Sequence, residues 1–159
     1  MALAYFPDEE RHRVVITASD EVRVDQLVAL LDQQVRDGTW EWPVLYDASR
    51  RAQVLSTADV HIIASAARRC AEVHGRRGPV AIVRDTDVGF GVARMFGMLS
   101  ADHTLALMVF RDRASAEAWL DTLPRRDPVG TAREGRVHLG ERIRRRQSGA
   151  GSASPSRST

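Results

Sequence analysis

The chain has 159 residues, of which 43% are hydrophobic and 28% charged, and its formal net charge is +2. This length fits one globular domain with an appended segment, and no apolar run reaches the roughly 18 to 20 residues of a membrane-spanning helix. The single cysteine, Cys70, excludes an intrachain disulfide, and the start lacks the pattern of a signal peptide, so we expect a cytoplasmic protein.

Strand and helix patterns alternate along the first 123 residues. Two short runs rich in β-branched and aromatic residues, 3–6 and 12–18, flank a polar segment and predict a β-hairpin. Further on, apolar residues recur at helical spacing in four segments, and compact apolar runs typical of strands lie between these segments. In chain order we predict a helix from Val24 to Asp37, a strand at 42–46, a helix from its cap at Ser56 to near Gly75, a strand at 79–83, a helix over 88–99, a strand at 105–110 and a helix at 114–123.

The apolar positions predict which face each helix buries. Cys70 falls on the core side of the second predicted helix, so we expect an inert, buried thiol. In the third helix Phe90, Arg94 and Met98 form a separate outer flank, because residues four apart lie on one side of a helix. The predicted core stripes are Val24, Leu27, Val28, Leu31 and Val35 in the first helix and Val88, Val92, Met95, Phe96 and Leu99 in the third.

The order of the elements is β-β-α-β-α-β-α-β-α. Strands that alternate with helices imply crossover connections and parallel strands, whereas the initial hairpin is antiparallel. The sequence therefore predicts an α/β fold, with a mixed five-stranded sheet and about four helices packed on it.

The charge is divided unevenly along the chain. Residues 1–124 carry 14 Arg and 18 Asp and Glu, a net charge of −4, whereas residues 125–159 carry 9 Arg and 3 acidic residues, a net charge of +6. The second part contains few large apolar residues and ends in a segment rich in Ser, Gly and Ala, which cannot bury enough surface to fold. We therefore predict an α/β domain at 1–124 and a largely disordered, Arg-rich tail at 125–159.

Several motifs resemble those of a known family. They are similar to motifs of STAS domains, the fold of bacterial anti-sigma-factor antagonists, and most similar to those of small bacterial STAS-like proteins. The motifs are the strand 44–47, the helix start Ser56-Thr57-Ala58-Asp59, the segment 78–83, the helix residues 90–96, the closing strand end 109–112 and the helix residues 116–120. The resemblance covers residues 3–121 and implies a sheet with helices packed on it.

The resemblance also implies a regulatory residue at the start of the second helix. In the family a partner kinase phosphorylates a serine or threonine there, which breaks a protein complex. Ser56 and Thr57 match this position, within Leu55-Ser56-Thr57-Ala58 where the family usually has Asp-Ser-Ser-Gly. The residues themselves leave a structural alternative open, since a serine at a helix start is a good N-cap.

A strand end and two helices supply residues for a ligand or partner surface. Asp47 ends a strand where α/β sheets form crevices, so it either receives a ligand hydroxyl or a metal, or accepts hydrogen bonds from the loop that follows. In the second case an ion pair with Arg50 or Arg51 is expected. The other residues predicted for this surface are Ile62, Phe90, Arg94 and Met98, which suit a partner helix, a second copy of the chain or a lipid-like ligand.

The motifs of common enzyme sites are missing from the sequence. It contains no nucleophile elbow, no complete dinucleotide fingerprint and no histidine pair at metal-binding spacing, so we expect no enzyme, cofactor or metal site.

The favoured hypothesis is a non-catalytic regulatory module that docks on another protein, of the kinase or sigma-regulatory type that the resemblance implies. The alternative is a carrier of a small or lipid-like molecule in an apolar pocket near the second and third helices. Nucleic acid is expected to bind only weakly, through Arg142, Arg144, Arg145 and Arg146 of the tail.

Overall fold

The computed structural model describes residues 3–19, 21–51 and 53–125. Apart from its first residue, the predicted tail at 125–159 lies outside the described residues, and so do Arg142, Arg144, Arg145 and Arg146. The boundary near residue 124 and the character of the tail therefore stay predictions.

Five strands and four helices occur in the described residues, in the predicted order. The strands are β1 (Leu3–Asp8), β2 (Arg13–Ala18), β3 (Val44–Asp47), β4 (Val80–Val83) and β5 (Leu107–Phe110). The helices are α1 (Val24–Arg36), α2 (Thr57–His74), α3 (Asp87–Leu99) and α4 (Arg113–Thr122).

Strands β1 and β2 form the predicted hairpin. They pair antiparallel from Leu3 opposite Ala18 to Asp8 opposite Arg13, so β1 continues past its predicted end. Pro7 is tolerated within β1 because this strand lies at the edge of the sheet, where proline's missing backbone N–H is compatible with pairing on one side only.

The other strands are parallel. Strand β2 pairs with β3, β3 with β4 and β4 with β5, which gives the spatial order β1-β2-β3-β4-β5. Each parallel pair needs a crossover, and α1, α2 and α3 provide them. The predicted α/β fold with a mixed five-stranded sheet is therefore confirmed.

Both faces of the sheet are covered. Because successive strand residues point to opposite faces, Leu45, Ala81 and Val83 pack together with Ala116 and Leu120 of α4. Strand residues of the other parity join a larger cluster with α1, α2 and α3. Strand β4 lies between these two layers and is buried along its whole length, as its uninterrupted apolar sequence predicted.

Helix α3 buries a different face from the predicted one. Val88 and Leu99 were predicted to be core residues but are 66% and 37% exposed, whereas Gly89 and Ala93 are buried. Gly89 faces inward against the side chain of Arg84, where an added Cβ atom would come within 2.3 Å of the arginine Nε. The predicted core stripe of α3 is therefore wrong at its two ends.

Helix α1 buries a broader face than predicted. Leu27 and Leu31 are buried as expected, but Leu30 and the polar Gln34 are buried as well. Gln34 is tolerated in the core because its side-chain oxygen accepts a hydrogen bond from the guanidinium of Arg77, another buried residue.

Candidate functional site

An apolar cavity of about 110 Å³ lies between the sheet and helices α1, α2 and α3. Its floor is formed by Ile16, Tyr46 and Ile82, which stand side by side on β2, β3 and β4 in the strand register. The wall is completed by helix side chains, which are Leu27, Leu30 and Leu31 of α1, Val60 and Ile63 of α2, and Val92, Ala93 and Phe96 of α3. These side chains offer no hydrogen-bonding groups, so the cavity is suited to an apolar occupant.

The loop before α2 forms one border of the cavity. Gln53, Val54 and Leu55 line the cavity, and the first two are exposed to solvent. This loop therefore separates the cavity from solvent on one side. It continues directly into Ser56, the first residue of the predicted switch.

Arg84 contributes a cationic group to the cavity wall. It follows β4 directly and continues the alternation of Ile82, which directs its side chain to the same face of the sheet. The residue is only 5% exposed. Its Nη1 donates hydrogen bonds to the backbone oxygens of Ala48 at 2.7 Å and Arg51 at 3.1 Å. Its Nε and Nη2 lie against Gly89 of α3, and the absent side chain of that glycine provides the space.

Arg51 lies beside Arg84 and is equally buried. Its Nη2 donates to the backbone oxygen of Val22 at 2.9 Å, while its Nε is buried without a hydrogen-bond partner among the described residues. Tyr46 belongs to the same group. Burial raises the pKa of its phenol, and the guanidinium groups of Arg51 and Arg84 partly oppose this rise. Two cations and a phenol therefore form a polar region in an otherwise apolar cavity.

The cations of this region form no ion pair with a described acidic side chain, although the charge of Asp85 acts on Arg84. None of the ion pairs between described residues involves Arg51 or Arg84. Burial lowers the pKa of Arg84, and the nearby charge of Arg51 lowers it further. Because a buried cation is costly without an opposite charge, and backbone oxygens offset the cost only in part, the region has the electrostatics of an anion site.

A third arginine lines the cavity near the opposite end of β4. Arg77 is buried, which lowers its pKa to about 10. Its guanidinium donates to the Gln34 side chain and lies over the ring of Trp40, 5.6 Å from the ring centroid. A polar oxygen and an aromatic face thus partly stabilise this cation, although its Nε, like that of Arg51, is buried without a hydrogen-bond partner among the described residues.

Asp47, which was predicted to line a crevice, points away from the cavity. Its neighbour in β3 points into the cavity, so alternation directs Asp47 toward α4. Its Oδ1 accepts hydrogen bonds from the N–H of Ser49 at 3.1 Å and from the Ser49 hydroxyl at 2.6 Å, as the structural interpretation expected. The predicted ion pair with Arg50 or Arg51 is wrong, since Asp47 instead pairs with Arg113 of α4 at 3.8 Å.

Ser56 is the N-cap of α2. Its hydroxyl accepts a hydrogen bond from the Asp59 N–H at 3.1 Å, and the Asp59 carboxylate accepts one from the Ser56 N–H at 3.0 Å. Together these two hydrogen bonds form a capping box, with Ser56 as the N-cap that the structural alternative expected. Ser56 and Thr57 are both exposed, and their phosphorylation stays a prediction.

The residues predicted for a surface on α2 and α3 lie on the outside of these helices. Ile62 and Met98 are 51% and 73% exposed, and Arg94 is exposed as well. Phe90 is half-buried because the guanidinium of Arg111 covers its ring, 4.3 Å from the centroid. None of these four predicted residues lines the cavity, which lies on the inner side of the same helices.

Cys70 is half-buried rather than fully buried. Its Sγ lies 3.9 Å from Oδ1 of Asp32 on α1. Burial raises the pKa of the thiol, and the Asp32 carboxylate adds to this effect. The thiol form is therefore favoured, which is the less reactive form of cysteine.

Tyr46, Arg51 and Arg84 were missed as functional residues from the sequence. One signal in the sequence was the position of Arg84, which directly follows four apolar strand residues. Because strand side chains alternate between the two faces of a sheet, Arg84 lies on the same face as Ile82. A second signal was Gly89, whose position near a helix start leaves room for a long side chain. Neither signal shows by itself that two arginines meet.

Comparisons with known proteins bear on the fold. The sequence matches no described protein family and no curated protein. The fold resembles that of an anti-sigma factor antagonist. This solved structure is SpoIIAA in its unphosphorylated form, with a TM-score of 0.49 and 15% identity, and the match covers 77% of this chain and 100% of that chain. At this identity the likeness concerns the fold alone.

The described residues contain neither a membrane-spanning helix nor a cluster of metal-binding side chains. No helix in the described residues combines the length and apolar character needed to cross a bilayer. In the same part of the chain, no group of three or more His, Cys, Asp or Glu side chains is placed to hold a metal ion.

Proposed function

We propose that this chain is a non-catalytic regulatory module that binds another protein through the outer sides of α2 and α3. The distribution of exposed apolar side chains carries this proposal. Of the eight large hydrophobic residues that are exposed in the described part of the chain, five lie on these two helices. These five residues, which we call the α2–α3 surface, are Ile62, Val73, Val88, Met98 and Leu99.

Exposure of this kind favours association. Apolar surface gains about 25 cal/mol per Å² when it is removed from water, and the flexible methionine side chain adapts to the shape of a partner. Helices α2 and α3 contact each other, so one partner is able to reach both. Single exposed hydrophobic residues are common on proteins, but most of those described here are concentrated on two of nine elements.

Phosphorylation of Ser56 or Thr57 is the proposed control of this binding. A phosphate adds about −1.5 to −2 charges near neutral pH, and a helix N-terminus tolerates negative charge. The modification therefore changes the surface offered to a partner without unfolding α2. A kinase or a sigma-regulatory protein is the expected type of partner, because the STAS-like motifs of the sequence include this helix start.

The test compares three forms of the full chain, immobilised and exposed to an extract of the source cells. We expect the wild type to retain one defined protein, and a variant with Ile62→Ser and Met98→Ser to retain at least about tenfold less. Met108→Ser is the matched control, since Met108 is also exposed but lies on β5. Equal retention by all three forms would contradict the proposal. Sedimentation of the same forms shows whether the partner is a second copy of the chain.

A second candidate function, carriage of a small molecule, is favoured by the cavity itself. The alternative derived from the sequence expected a pocket near the second and third helices, and the cavity is lined by both. Native mass spectrometry of the gently purified full chain is the test. We expect an additional mass that disappears after solvent extraction and refolding, whereas repeated preparations of the bare chain would contradict a carrier function.

A further inference from the structure

We propose that the cavity binds a small amphipathic carboxylic acid, with the carboxylate at Arg51 and Arg84 and the apolar body among the side chains of α1, α2 and the sheet. This inference deepens the second candidate function and rests on the cavity being a ligand site. It assigns the chemistry of the ligand, which the cavity alone leaves open.

The first argument is charge. Arg51 and Arg84 are each 5% exposed, lie next to one another and form no ion pair with a described acidic residue, although the charge of Asp85 acts on Arg84. Like charges that are buried together repel each other, and each also loses its hydration. A bound anion relieves both effects at once, so the unliganded site favours an anionic group over a neutral one.

The second argument is the supply of hydrogen-bond donors. A guanidinium has five N–H donors. Arg84 directs Nη1 to two backbone oxygens, Arg51 directs Nη2 to one, and the Nε of Arg51 is buried with no partner in the described structure. Donors therefore remain on both side chains. A planar, two-oxygen carboxylate matches the fork of a guanidinium, and it carries only one charge into the cavity.

The third argument is the shape and size of the remaining space. Beyond Arg51 and Arg84, the cavity is lined mainly by aliphatic side chains of α1, α2 and β4, such as Leu27, Ile63 and Val80, with Arg77 near its other end. Its volume is about 110 Å³, somewhat below the roughly 150 Å³ of an engineered apolar cavity that binds benzene. The apolar body is therefore one ring or a short chain, and long lipid tails are too large for the cavity as it stands.

Binding of four probes to the full-length chain, measured by titration calorimetry, tests the assignment. The probes are hexanoate, its uncharged analogue hexan-1-ol, acetate as a bare headgroup, and inorganic phosphate. We expect hexanoate to bind at least about tenfold more tightly than hexan-1-ol, because charge-assisted hydrogen bonds form only with the anion. Acetate and phosphate are expected to bind at least about tenfold more weakly than hexanoate, because they lack an apolar body.

Two variants locate the binding. Arg84→Met keeps the length of the side chain but removes the charge, and is expected to reduce hexanoate binding at least about tenfold while leaving hexan-1-ol binding within about threefold. Arg51→Met is the second variant and carries the same expectation if Arg84→Met fails to fold. Arg50→Met is the matched control, since Arg50 is an exposed arginine next to Arg51 in the chain. It is expected to bind hexanoate like the wild type.

The outcomes separate this assignment from the carrier function on which it rests. If hexan-1-ol binds as tightly as hexanoate, the cavity is a ligand site but the carboxylate assignment is overturned. If acetate or phosphate binds as tightly as hexanoate, the site is a bare anion site and the assignment is again overturned. If none of the four probes binds, the carboxylate assignment is overturned, whereas the carrier function is decided by native mass spectrometry of the purified chain. Equal loss in Arg50→Met and Arg84→Met would also overturn the assignment, because it shows a general charge effect.

Discussion

Ser56 stabilises α2 through a single side-chain hydrogen bond, in which its hydroxyl accepts from the Asp59 N–H at 3.1 Å. We expect Ser56→Ala to lower the free energy of unfolding by about 1 kcal/mol, because an N-cap interaction is lost. Ser56→Asp is expected to lose less, since an aspartate also caps a helix. Urea denaturation measures both effects.

Thr57→Ala is the control for this prediction. Thr57 is exposed and is the first residue of α2, so its replacement is expected to change the free energy of unfolding by no more than about 0.5 kcal/mol. A loss as large as that of Ser56→Ala would show that the cap is not the source of the effect. If Ser56→Asp folds normally, any change in partner binding that it causes reports on charge rather than on unfolding.

His103 makes stability depend on pH. Burial lowers its pKa below the ordinary value of 6.5, and the charge of Arg68 lowers it further. Between the two pKa values the unfolded chain therefore binds more protons than the folded chain, so stability falls as the pH drops below about 6.5. We expect wild-type stability in urea to fall between pH 7.5 and 5.5, and His103→Asn to show a smaller fall.

The control for this pH effect is another histidine on the surface. His61 lies on the exposed side of α2, so His61→Asn is expected to keep the pH dependence of the wild type. The charged groups that act on His103 besides Arg68 are Asp102, Arg77 and Glu72. An unchanged pH dependence in His103→Asn would assign the effect to other groups.

Helix α3 provides a matched pair of glycines. An added Cβ at Gly89 would meet the Arg84 guanidinium at 2.3 Å, whereas one at Gly91 would meet nothing within 4 Å. Arg84 cannot move aside freely, because its hydrogen bonds to two backbone oxygens hold it in place. We expect Gly91→Ala to raise the free energy of unfolding by about 0.5–1 kcal/mol. Gly89→Ala is expected to lower it by about 1–3 kcal/mol. Equal stabilisation by both substitutions, measured by thermal unfolding, would show that Arg84 is not held against α3.

The same helix shows where element prediction from the sequence stops. The burial of strand β4 on both of its faces was predictable because its four consecutive residues are all apolar. In α3, by contrast, apolar residues surround most of the helix, so their spacing does not fix which side faces the sheet. The buried stripe includes Gly89 because the side chain of Arg84, which directly follows β4, occupies the space beside it. That contact forms between two elements, so the spacing of apolar residues within either element does not predict it.

For the whole molecule, the topology and a pocket near α2 and α3 were predictable, whereas the polar region of the cavity was not. The order of strands and helices, with the need for crossovers between parallel strands, leaves few arrangements of the sheet. The polar region of the cavity instead depends on Tyr46, Arg51 and Arg84, which approach each other only after β3 and β4 pair. The predicted outer surface of Ile62 and Met98 needed only helical spacing, and it is exposed in the structure.

The division of the chain is tested by truncation. The two apolar clusters of the described structure contain only residues between Leu3 and Leu123. We therefore expect a chain that ends at Pro124 to unfold cooperatively, with a midpoint within about 2 °C of the full-length value. Its net charge would be −4 instead of +2, so its isoelectric point should fall below 7. Loss of cooperative unfolding would show that residues 125–159 belong to the folded domain.

Hydrogen–deuterium exchange of the complex with the retained protein tests the proposed binding surface most directly. The proposal predicts slower exchange in α2 and α3 on binding, and unchanged exchange in α4, which lies on the other face of the sheet. The Ile62→Ser and Met98→Ser variant should lose this protection. Protection confined to α4 or to the β1–β2 hairpin, with α2 and α3 unchanged, would contradict it.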